Sequence, residues 1–509
     1  MNLNRKYSSL VALLAIALSL SACSGLPVHN GGGGTTASVS VTMVADTLPA
    51  NPSILSFTVS ITSIVLTPTS GTAQTITLNP ARVVDLMRLQ SDTAFLGTFA
   101  SIPSGTYSSV TAVIGLPAQI TFFNDTGSTI TTLNQAALTP SCPNGAVCVL
   151  SVNVSGGPLA TVAFTVPATG AVGVGLDISL NKIVSVAAGA LTISFSNANT
   201  LSAFTLPRTG SNLAAGQLDL IEDVTGVVSL GGTGVTITAA TATGRGSLLA
   251  STNANMILDK DPSGALCNNP TQGSISSCVS SNQAASMDAI LKSDGTLTIQ
   301  EIEPLLTTLQ DTVEGIIISV SSPTQFELIV TDLLPAATNS RISSLHIGDG
   351  LIVNVPAPNP FLVDTKGLPV ESTVPGTLAN FQGATDTTPL RPGQTVSAHI
   401  TSFTAATPPT SISDTITLRW TRFTATPVTP FSANTFNLSG FPSFFNASGT
   451  ALAEDFPGTP TTQNVTNFDG IVDASGLSNT KPVAVRALFI ENSTNTASPA
   501  FIAAKVRQH

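Results

Sequence analysis

Apolar and polar residues alternate with a period of two along much of the chain. In residues 39–43 valine and methionine alternate with serine and threonine, and residues 57–61 repeat the pattern with phenylalanine, valine and isoleucine. This period places successive side chains on opposite faces of a strand, so each run predicts a half-buried β-strand. The break in alternation at 84–90 predicts a short helical turn. Further strands are predicted at 74–78, 108–114, 119–123, 147–154, 161–166 and 191–195.

A related pattern recurs three times after the turn-rich stretch at 207–216. A hairpin at 224–238 resembles one at 313–330 and, more weakly, one at 428–438, and each copy closes with two further strands. The sequence therefore predicts an all-β fold with very little helix: a β-sandwich domain at 38–206, then three small β-barrel or sandwich modules at 221–310, 311–427 and 428–509. We expect each module to have its own core, with few contacts across the breaks near 207–216, 305–312 and 424–430.

Composition supports this fold class. Hydrophobic residues make up 42% of the 509 residues and charged residues only 9%, which is typical of a folded chain and not of a disordered one. Lysine, glutamate and arginine, the usual surface residues of helices, are scarce. The net charge is −10 and no basic run occurs, so a nucleic acid partner is not expected.

The first residues predict export. Arg5 and Lys6 precede an apolar run that is much shorter than the ~20 residues needed to span a bilayer. The run ends in Leu20-Ser-Ala-Cys23, which resembles the bacterial lipobox. The resemblance implies a signal peptide at 1–22, acylation of Cys23 and a membrane partner through that lipid, with a glycine-rich tether at 23–37. Ser24 after the cysteine implies the outer membrane. The alternative is an ordinary signal peptide with an incidental cysteine.

Four short motifs occur in a fixed order: Val84-Asp-Leu86, Leu96-Gly97, Ile102-Pro-Ser-Gly-Thr-Tyr107 and Leu176-Asp-Ile178. Together they resemble an uncharacterised family of bacterial lipoproteins whose N-terminal domain is an immunoglobulin-like or transthyretin-like sandwich. The three modules resemble small β-barrel repeats, also of unknown function, in exported bacterial proteins. This sequence departs from the family's pattern near 187–206, where the last strand of the sandwich is hard to place. The resemblance implies fold and location, and it carries over no catalytic residue or cofactor.

The cysteines after Cys23 are even in number, as in many exported proteins. Their spacing pairs Cys142 with Cys148 and Cys267 with Cys278 as loop disulfides, dispensable for the core. Metal binding is the competing interpretation, but neither pair has CxxC spacing or a nearby histidine.

Few residues suggest a binding or catalytic site. The sequence has no hydrolase elbow, zinc-protease motif or phosphate-binding loop. His346 and His399 both fit outward-facing strand positions. Asp259, Asp261 and Ser263 have the spacing of a calcium loop but lack its final glutamate, so a polar hairpin tip is the alternative.

One apolar loop is a candidate contact surface. Phe441, Phe444 and Phe445 cluster in a predicted loop, where packing beneath that loop is the alternative. Trp420 alternates with Ile416 and Leu418, which predicts a core position. These observations favour a lipid-anchored envelope protein with a non-enzymatic scaffold, adhesion or ligand-binding role, whose partner is an envelope protein or a polysaccharide. The alternative is an exported hydrolase of glycans or peptides whose carboxylates come together only in the fold.

Overall fold

The computed structural model describes most of the chain. The described residues are 36–48, 53–125, 129–133, 137–152, 159–160, 164–197, 199–208, 210–211, 213–232, 234–239, 247–259, 267, 275–306, 310–336, 338–356, 358–365, 381, 384–445, 449–453, 466–490 and 500–508. The signal, Cys23 and the predicted tether up to residue 35 lie outside these ranges. Thr36 and Ala37, predicted as the end of the tether, instead begin the first strand. So do Asp261 and Ser263 of the calcium-loop candidate.

Residues 36–208, here called the sandwich unit, form two sheets of ten and four strands. The larger sheet runs β3-β2-β5-β9-β14-β11-β1-β4, with β8 and β10 also on β5, and the smaller runs β12-β13-β6-β7. A 3₁₀ turn spans Arg88–Gln90 and a four-residue helix, α1, spans Leu180–Ile183. The strands are β1 (Thr36–Ala45), β2 (Ser53–Pro68), β3 (Gln74–Asp85), β4 (Ala94–Pro103), β5 (Gly105–Phe123), β6 (Ile130–Leu133), β7 (Ala137–Cys142), β8 (Val147–Val152), β9 (Leu159–Ala160), β10 (Phe164–Val166), β11 (Ala171–Ile178), β12 (Val184–Ala187), β13 (Ala190–Ile193) and β14 (Leu201–Phe204).

The two sheets share one hydrophobic core, and Tyr107 shows how the sequence builds it. Gly105 has φ +140°, which glycine adopts without strain and which lets the chain turn from β4 into β5. The Tyr107 ring is then 1% exposed and stacks on Phe164, while its hydroxyl donates to the Pro103 carbonyl at 2.8 Å. The tyrosine therefore enters β5 with its ring in the core.

Three small closed sheets follow. In barrel 1 the order is β15-β16-β17-β20-β19 and back to β15. Its core is formed by residues 218–302, with Phe95 and Phe204 of the sandwich unit packed against it. The strands of barrel 1 are β15 (Gln217–Gly231), β16 (Gly234–Thr238), β17 (Ser247–Ser251), β18 (Ile257–Leu258), β19 (Ala284–Lys292) and β20 (Leu297–Leu306), with a 3₁₀ turn at Ile275–Ser277.

Barrels 2 and 3 repeat this connectivity. In each, the first of the six strands pairs with the second and the fifth, and the third lies parallel to the sixth. Each also has a short strand parallel to the last one. Barrel 2 contains β21 (Thr312–Ser322), β22 (Gln325–Leu334), β23 (Gly350–Asn354), β24 (Phe361–Val363), β25 (Thr395–Thr404) and the first part of β26 (Thr410–Ser432). Barrel 3 contains the rest of β26, β27 (Thr435–Ser439), β28 (Gly449–Ala453), β29 (Asn467–Asp469), β30 (Val483–Ile490) and β31 (Ala500–Arg507), with 3₁₀ turns at Ser443–Phe445 and Ala474–Gly476.

The long strand β26 belongs to two barrels. Residues up to Arg419 pair with β25 of barrel 2, and residues from Trp420 pair with β30 and then with β27 of barrel 3. The predicted boundary at 427/428 falls within this strand. Trp420, at the change of barrel, is 2% exposed and lies in the core as expected.

The all-β prediction is confirmed, and the pattern of period two is its physical basis. Buried and exposed positions alternate along strands such as β16 and β27, while β30 is buried on both faces. Within the described ranges no helix is long and apolar enough to cross a membrane.

Candidate functional site: a charged junction between the four units

Charged residues are scarce in this chain, yet many of them meet where the sandwich unit and the three barrels touch. We call this cluster the charged junction, and most of its side chains are buried. Because an isolated buried charge is very costly, such a cluster is stable only when its members pair. Its members are Arg88, Asp92, Glu222, Asp223, Glu314, Asp332, Asp364, Arg419, Arg422, Arg486 and Lys505.

Arg422 connects all four units through one guanidinium group. It lies on β26 at the start of barrel 3. Its Nε lies 2.5 Å from Asp92 Oδ2 of the sandwich unit, and its Nη2 lies 2.6 Å from Asp223 Oδ2 of barrel 1. Its Nη1 is 3.4 Å from Glu314 Oε1 of barrel 2. The planar fork of arginine suits this task, since it can donate to several carboxylates at once.

Barrel 3 supplies a row of basic residues from three adjacent strands. Arg422 on β26 lies opposite Arg486 on β30, which lies opposite Lys505 on β31. Like charges opposite each other in a sheet are destabilising unless an anion compensates them. The pairing therefore creates a basic stripe that requires an acidic partner.

Barrel 1 supplies that partner through a β-bulge. In β15, Glu222 and Asp223 lie between two paired positions, whereas β19 has only Asp288 there. Asp223 has φ +53°, a left-handed conformation that aspartate tolerates, and its N–H donates to Asp288 Oδ1 at 2.7 Å. The bulge redirects both acidic side chains toward barrel 3.

The acidic bulge and the basic stripe interlock. Arg486 Nη1 lies 2.9 Å from Glu222 Oε1, and its Nη2 lies 2.5 Å from Asp223 Oδ2. Lys505 Nζ lies 2.5 Å from Glu222 Oε2. The carboxylate of Asp223 thus bridges Arg422 and Arg486, which offsets their mutual repulsion.

The sandwich unit enters the junction through its 3₁₀ turn. Arg88, on this turn, lies 3.0 Å from Asp92 through Nε and 3.1 Å from Asp332 of barrel 2 through Nη1. In barrel 2, Arg419 contacts Asp364 and lies 3.4 Å from Glu314 Oε2. The junction therefore continues from the sandwich unit into the outer face of barrel 2.

A second ionic cluster lies beside the first. Arg507 of β31 is fully buried and lies 2.9 Å from Asp469 Oδ2. It also donates to the carbonyl oxygens of Leu89 and Gln90 at 2.8 and 3.1 Å. Arg208, the last residue of the sandwich unit, also pairs with Asp469. The last strand of barrel 3 is thereby attached to the turn that carries Arg88.

The ionisation of the junction follows from these contacts. Burial opposes the charge of Asp92, but Arg422 and Arg88 outweigh it and hold the pKa of Asp92 below its ordinary value. Burial likewise opposes the charge of Arg486, yet Asp223 and Glu222 hold its pKa well above the usual range. Both directions favour the ion-paired state at neutral pH.

We expected few contacts across the breaks between units, but the charged junction consists of ion pairs that cross them. A signal for it was nonetheless present, because Arg486, Lys505 and the pair Glu222-Asp223 are charged residues within otherwise apolar strands. Such residues need buried partners, but sequence spacing does not identify which strands bring them together.

Two small cavities flank Arg88, each of about 70 Å³. Asp85 and Glu222 both line the second, and burial raises the pKa of each. Asp85 accepts hydrogen bonds from the backbone N–H groups of Phe57 and Met87 at 2.9 and 3.0 Å. These two carboxylates therefore organise the backbone and the ion pairs around them.

Both predicted cysteine pairs are bonded, with Cα separations of 6.0 Å for Cys142–Cys148 and 4.3 Å for Cys267–Cys278. Their setting differs from the expected one. Cys142 is 1% exposed and Cys267 is 7% exposed, and each belongs to a hydrophobic core. One cysteine of each bridge is thus buried in a core, and its partner packs against the same core.

The phenylalanine cluster packs within the protein. Phe445 is 4% exposed, and Phe441 stacks on Phe501 of barrel 3 with ring centroids 5.3 Å apart. Phe444 meets Phe123 of the sandwich unit edge to face, also at 5.3 Å. The three rings therefore join barrel 3 to the sandwich unit beside the charged junction.

The remaining candidates are separate from each other. Asp259 follows β18, and its N–H donates to the Ile302 carbonyl. His346 is exposed, 3.4 Å from Asp349. His399 is half-buried, and its Nδ1 lies 2.6 Å from Asp414 Oδ1.

The described residues contain no group of three His, Cys, Asp or Glu side chains placed to hold a metal ion. No protein-family model, curated protein or solved structure matches the chain.

Proposed function

We propose that this chain is an exported, lipid-anchored protein of the cell envelope that acts as a non-enzymatic scaffold. It holds four β units in one fixed arrangement and presents their surfaces to a partner in the envelope. The observation that supports this role most directly is Arg422, which contacts carboxylates from the other three units at one buried point. In some proteins buried ion pairs specify the relative positions of packed elements, and we assign that role to Arg422.

The distribution of carboxylates supports a scaffold over the alternative, an exported hydrolase. A typical glycoside hydrolase uses one carboxylic acid to donate a proton and a second carboxylate as base or nucleophile. In the charged junction, Glu222 is held by Arg486 and Lys505, and Asp92 is held by Arg88 and Arg422. Carboxylates fixed in this way position the units.

The anchoring part of the proposal rests on the lipobox-like sequence ending at Cys23. Cells that express the full chain should incorporate a labelled fatty acid into it, and the protein should fractionate with the outer membrane. The Cys23→Ala variant should carry no label, while Ser24→Ala, the matched control, should keep it. Label on the Cys23→Ala variant would contradict the anchor, and recovery of the wild-type protein in the inner membrane would contradict the sorting.

A further inference from the structure

A cavity of about 250 Å³ lies between barrel 1 and barrel 2, more than three times the size of the cavities beside Arg88. Thr225 of β15 and Leu305 of β20 form its barrel 1 side. The outer face of barrel 2 forms the other side. If each non-hydrogen atom takes the ~30 Å³ that a water molecule occupies in the liquid, about eight such atoms fit.

Strand register makes the barrel 2 side a regular polar surface. One row across three strands is Thr312, His399 and Thr415, and the next row contains Glu314 and Ser397, with Thr417 completing it. Residues directly opposite each other in such rows have Cβ atoms about 4.5–5.5 Å apart. A small ligand can therefore contact two rows at once.

The charges around this surface favour a cation. Glu314 and Asp332 line the cavity, as does Arg419. Asp332 is already paired with Arg88 and Arg419 with Asp364, so Glu314 is the carboxylate that a cation can approach. The distances from Glu314 to Arg419 and Arg422 are both 3.4 Å, longer than the 2.7–2.9 Å of a strong charge-assisted hydrogen bond. The Glu314 carboxylate can therefore gain a closer cationic partner.

The rest of the lining is apolar or neutral. Four leucines cover the wall beside the carboxylates: Leu305, Leu333, Leu334 and Leu362. His399 uses Nδ1 for Asp414, so any contact with a ligand is made through Nε2. Small-molecule sites commonly combine such an apolar wall with a few polar groups that fix orientation.

We propose that this cavity binds a small organic cation, with its ammonium group beside Glu314 and its hydrocarbon part against the leucine wall. The proposal goes beyond the scaffold role proposed above by giving the protein a small-molecule ligand. It does not depend on the lipid anchor, so failure of the anchoring test would leave it unaffected.

Three probes with the same six-carbon chain separate charge from hydrophobicity: hexylammonium, 1-hexanol and hexanoate. Binding to the full chain can be followed through the methyl signals of ¹³C-labelled leucine. Hexylammonium should bind with a Kd in roughly the millimolar range, as expected for a ligand of this size, and should shift the signals of the four wall leucines. 1-Hexanol should bind at least about tenfold more weakly, since it lacks the charge. Hexanoate should leave the signals unchanged.

Two variants and one control locate the site. Glu314→Gln removes the charge but keeps the shape, and it should weaken hexylammonium binding about tenfold or more. Thr417→Leu fills the cavity from a position outside the charged junction and should abolish the binding of both hexylammonium and 1-hexanol. Glu327→Gln changes a carboxylate of the same barrel that does not line the cavity, and it should bind like the wild type.

The outcomes that overturn the proposal are equally definite. It fails if hexanol or hexanoate binds as tightly as hexylammonium, or if none of the three shifts the wall leucines. It also fails if the folded Thr417→Leu variant retains hexylammonium binding.

Discussion

Replacing Arg422 with methionine should loosen the contact between all four units. The change removes two close ion pairs, to Asp92 and Asp223, and one longer contact, to Glu314. Hydrogen bonds to charged groups contribute about 1.5–3 kcal/mol each. Each carboxylate keeps another cation, and the repulsion between Arg422 and Arg486 disappears, which returns up to about 1 kcal/mol. Because each carboxylate keeps a cation, the expected net loss lies in the lower part of the resulting range, at about 2–4 kcal/mol, which overlaps the ~3–5 kcal/mol known for broken buried pairs.

Native-state hydrogen exchange measures this loss where it occurs. A loss of 2–4 kcal/mol corresponds to exchange about 30- to 700-fold faster. The increase should appear in peptides that cover the β15 bulge and the 3₁₀ turn at Arg88–Gln90, because both lie across unit boundaries from Arg422. The free-energy losses of Arg422→Met and Asp92→Asn should also not add up in the double variant, since the two side chains contact each other.

Arg341→Met is the matched control. Arg341 pairs with Asp311 at 3.6 Å, but the Arg341 side chain is 56% exposed. The buried Asp311 carboxylate also accepts hydrogen bonds from the backbone N–H groups of Ala336 and Arg341, so losing the side chain should cost only about 0–1 kcal/mol. An Arg422→Met variant that exchanges like the control, or whose faster exchange is confined to β26, would refute the role assigned to Arg422.

Three further outcomes are expected. Burial and the nearby Asp177 raise the pKa of Asp46 to about 6, so this group stabilises the fold below its unfolded pKa and loses that contribution as pH rises through 6. The free energy of unfolding, measured by denaturation, should differ between pH 5 and pH 7.5 by about 1–2 kcal/mol less in Asp46→Asn than in the wild type. The same pH difference in both proteins would contradict this account. Phe445→Ala should cost about 3–5 kcal/mol by denaturation because it empties a buried ring site, and a loss below about 1 kcal/mol would contradict that packing. Reduction of both disulfides should lower the thermal midpoint and, since Cys142 and Cys267 lie in cores, also expose apolar surface to a hydrophobic dye. If dye binding does not change, the disulfides are dispensable for the core, as the sequence predicted.

Local pattern predicted much of the fold because strands and turns depend on residues that are near in sequence. The alternation around Val39 and Phe57 reflects one buried face, and the Pro103-Ser-Gly105 turn is specified by its own residues. Trp420 could be assigned to a core because its neighbours on the same face are apolar. Each of these inferences needs only a few adjacent residues.

The charged junction could not be predicted in the same way. Arg422, Arg486 and Lys505 form one row only because β26, β30 and β31 pair in a particular register. Glu222 and Asp223 face that row only because a bulge turns them outward. Register over such distances depends on how whole sheets close, and no spacing in the sequence reports it. The phenylalanine cluster illustrates the same limit, since Phe444 packs on a ring more than 300 residues away.

The central claim is that the charged junction fixes the sandwich unit and the barrels in one arrangement. Spin labels at Ser70→Cys on the sandwich unit and Asn434→Cys on barrel 3 would report it, since both positions are exposed and the described cysteines are bonded in disulfides. Pulsed electron paramagnetic resonance should give one narrow distance distribution for the otherwise wild-type chain and a broader one with Arg422→Met. A distribution that is already broad with Arg422 in place, and equally broad without it, would contradict the account.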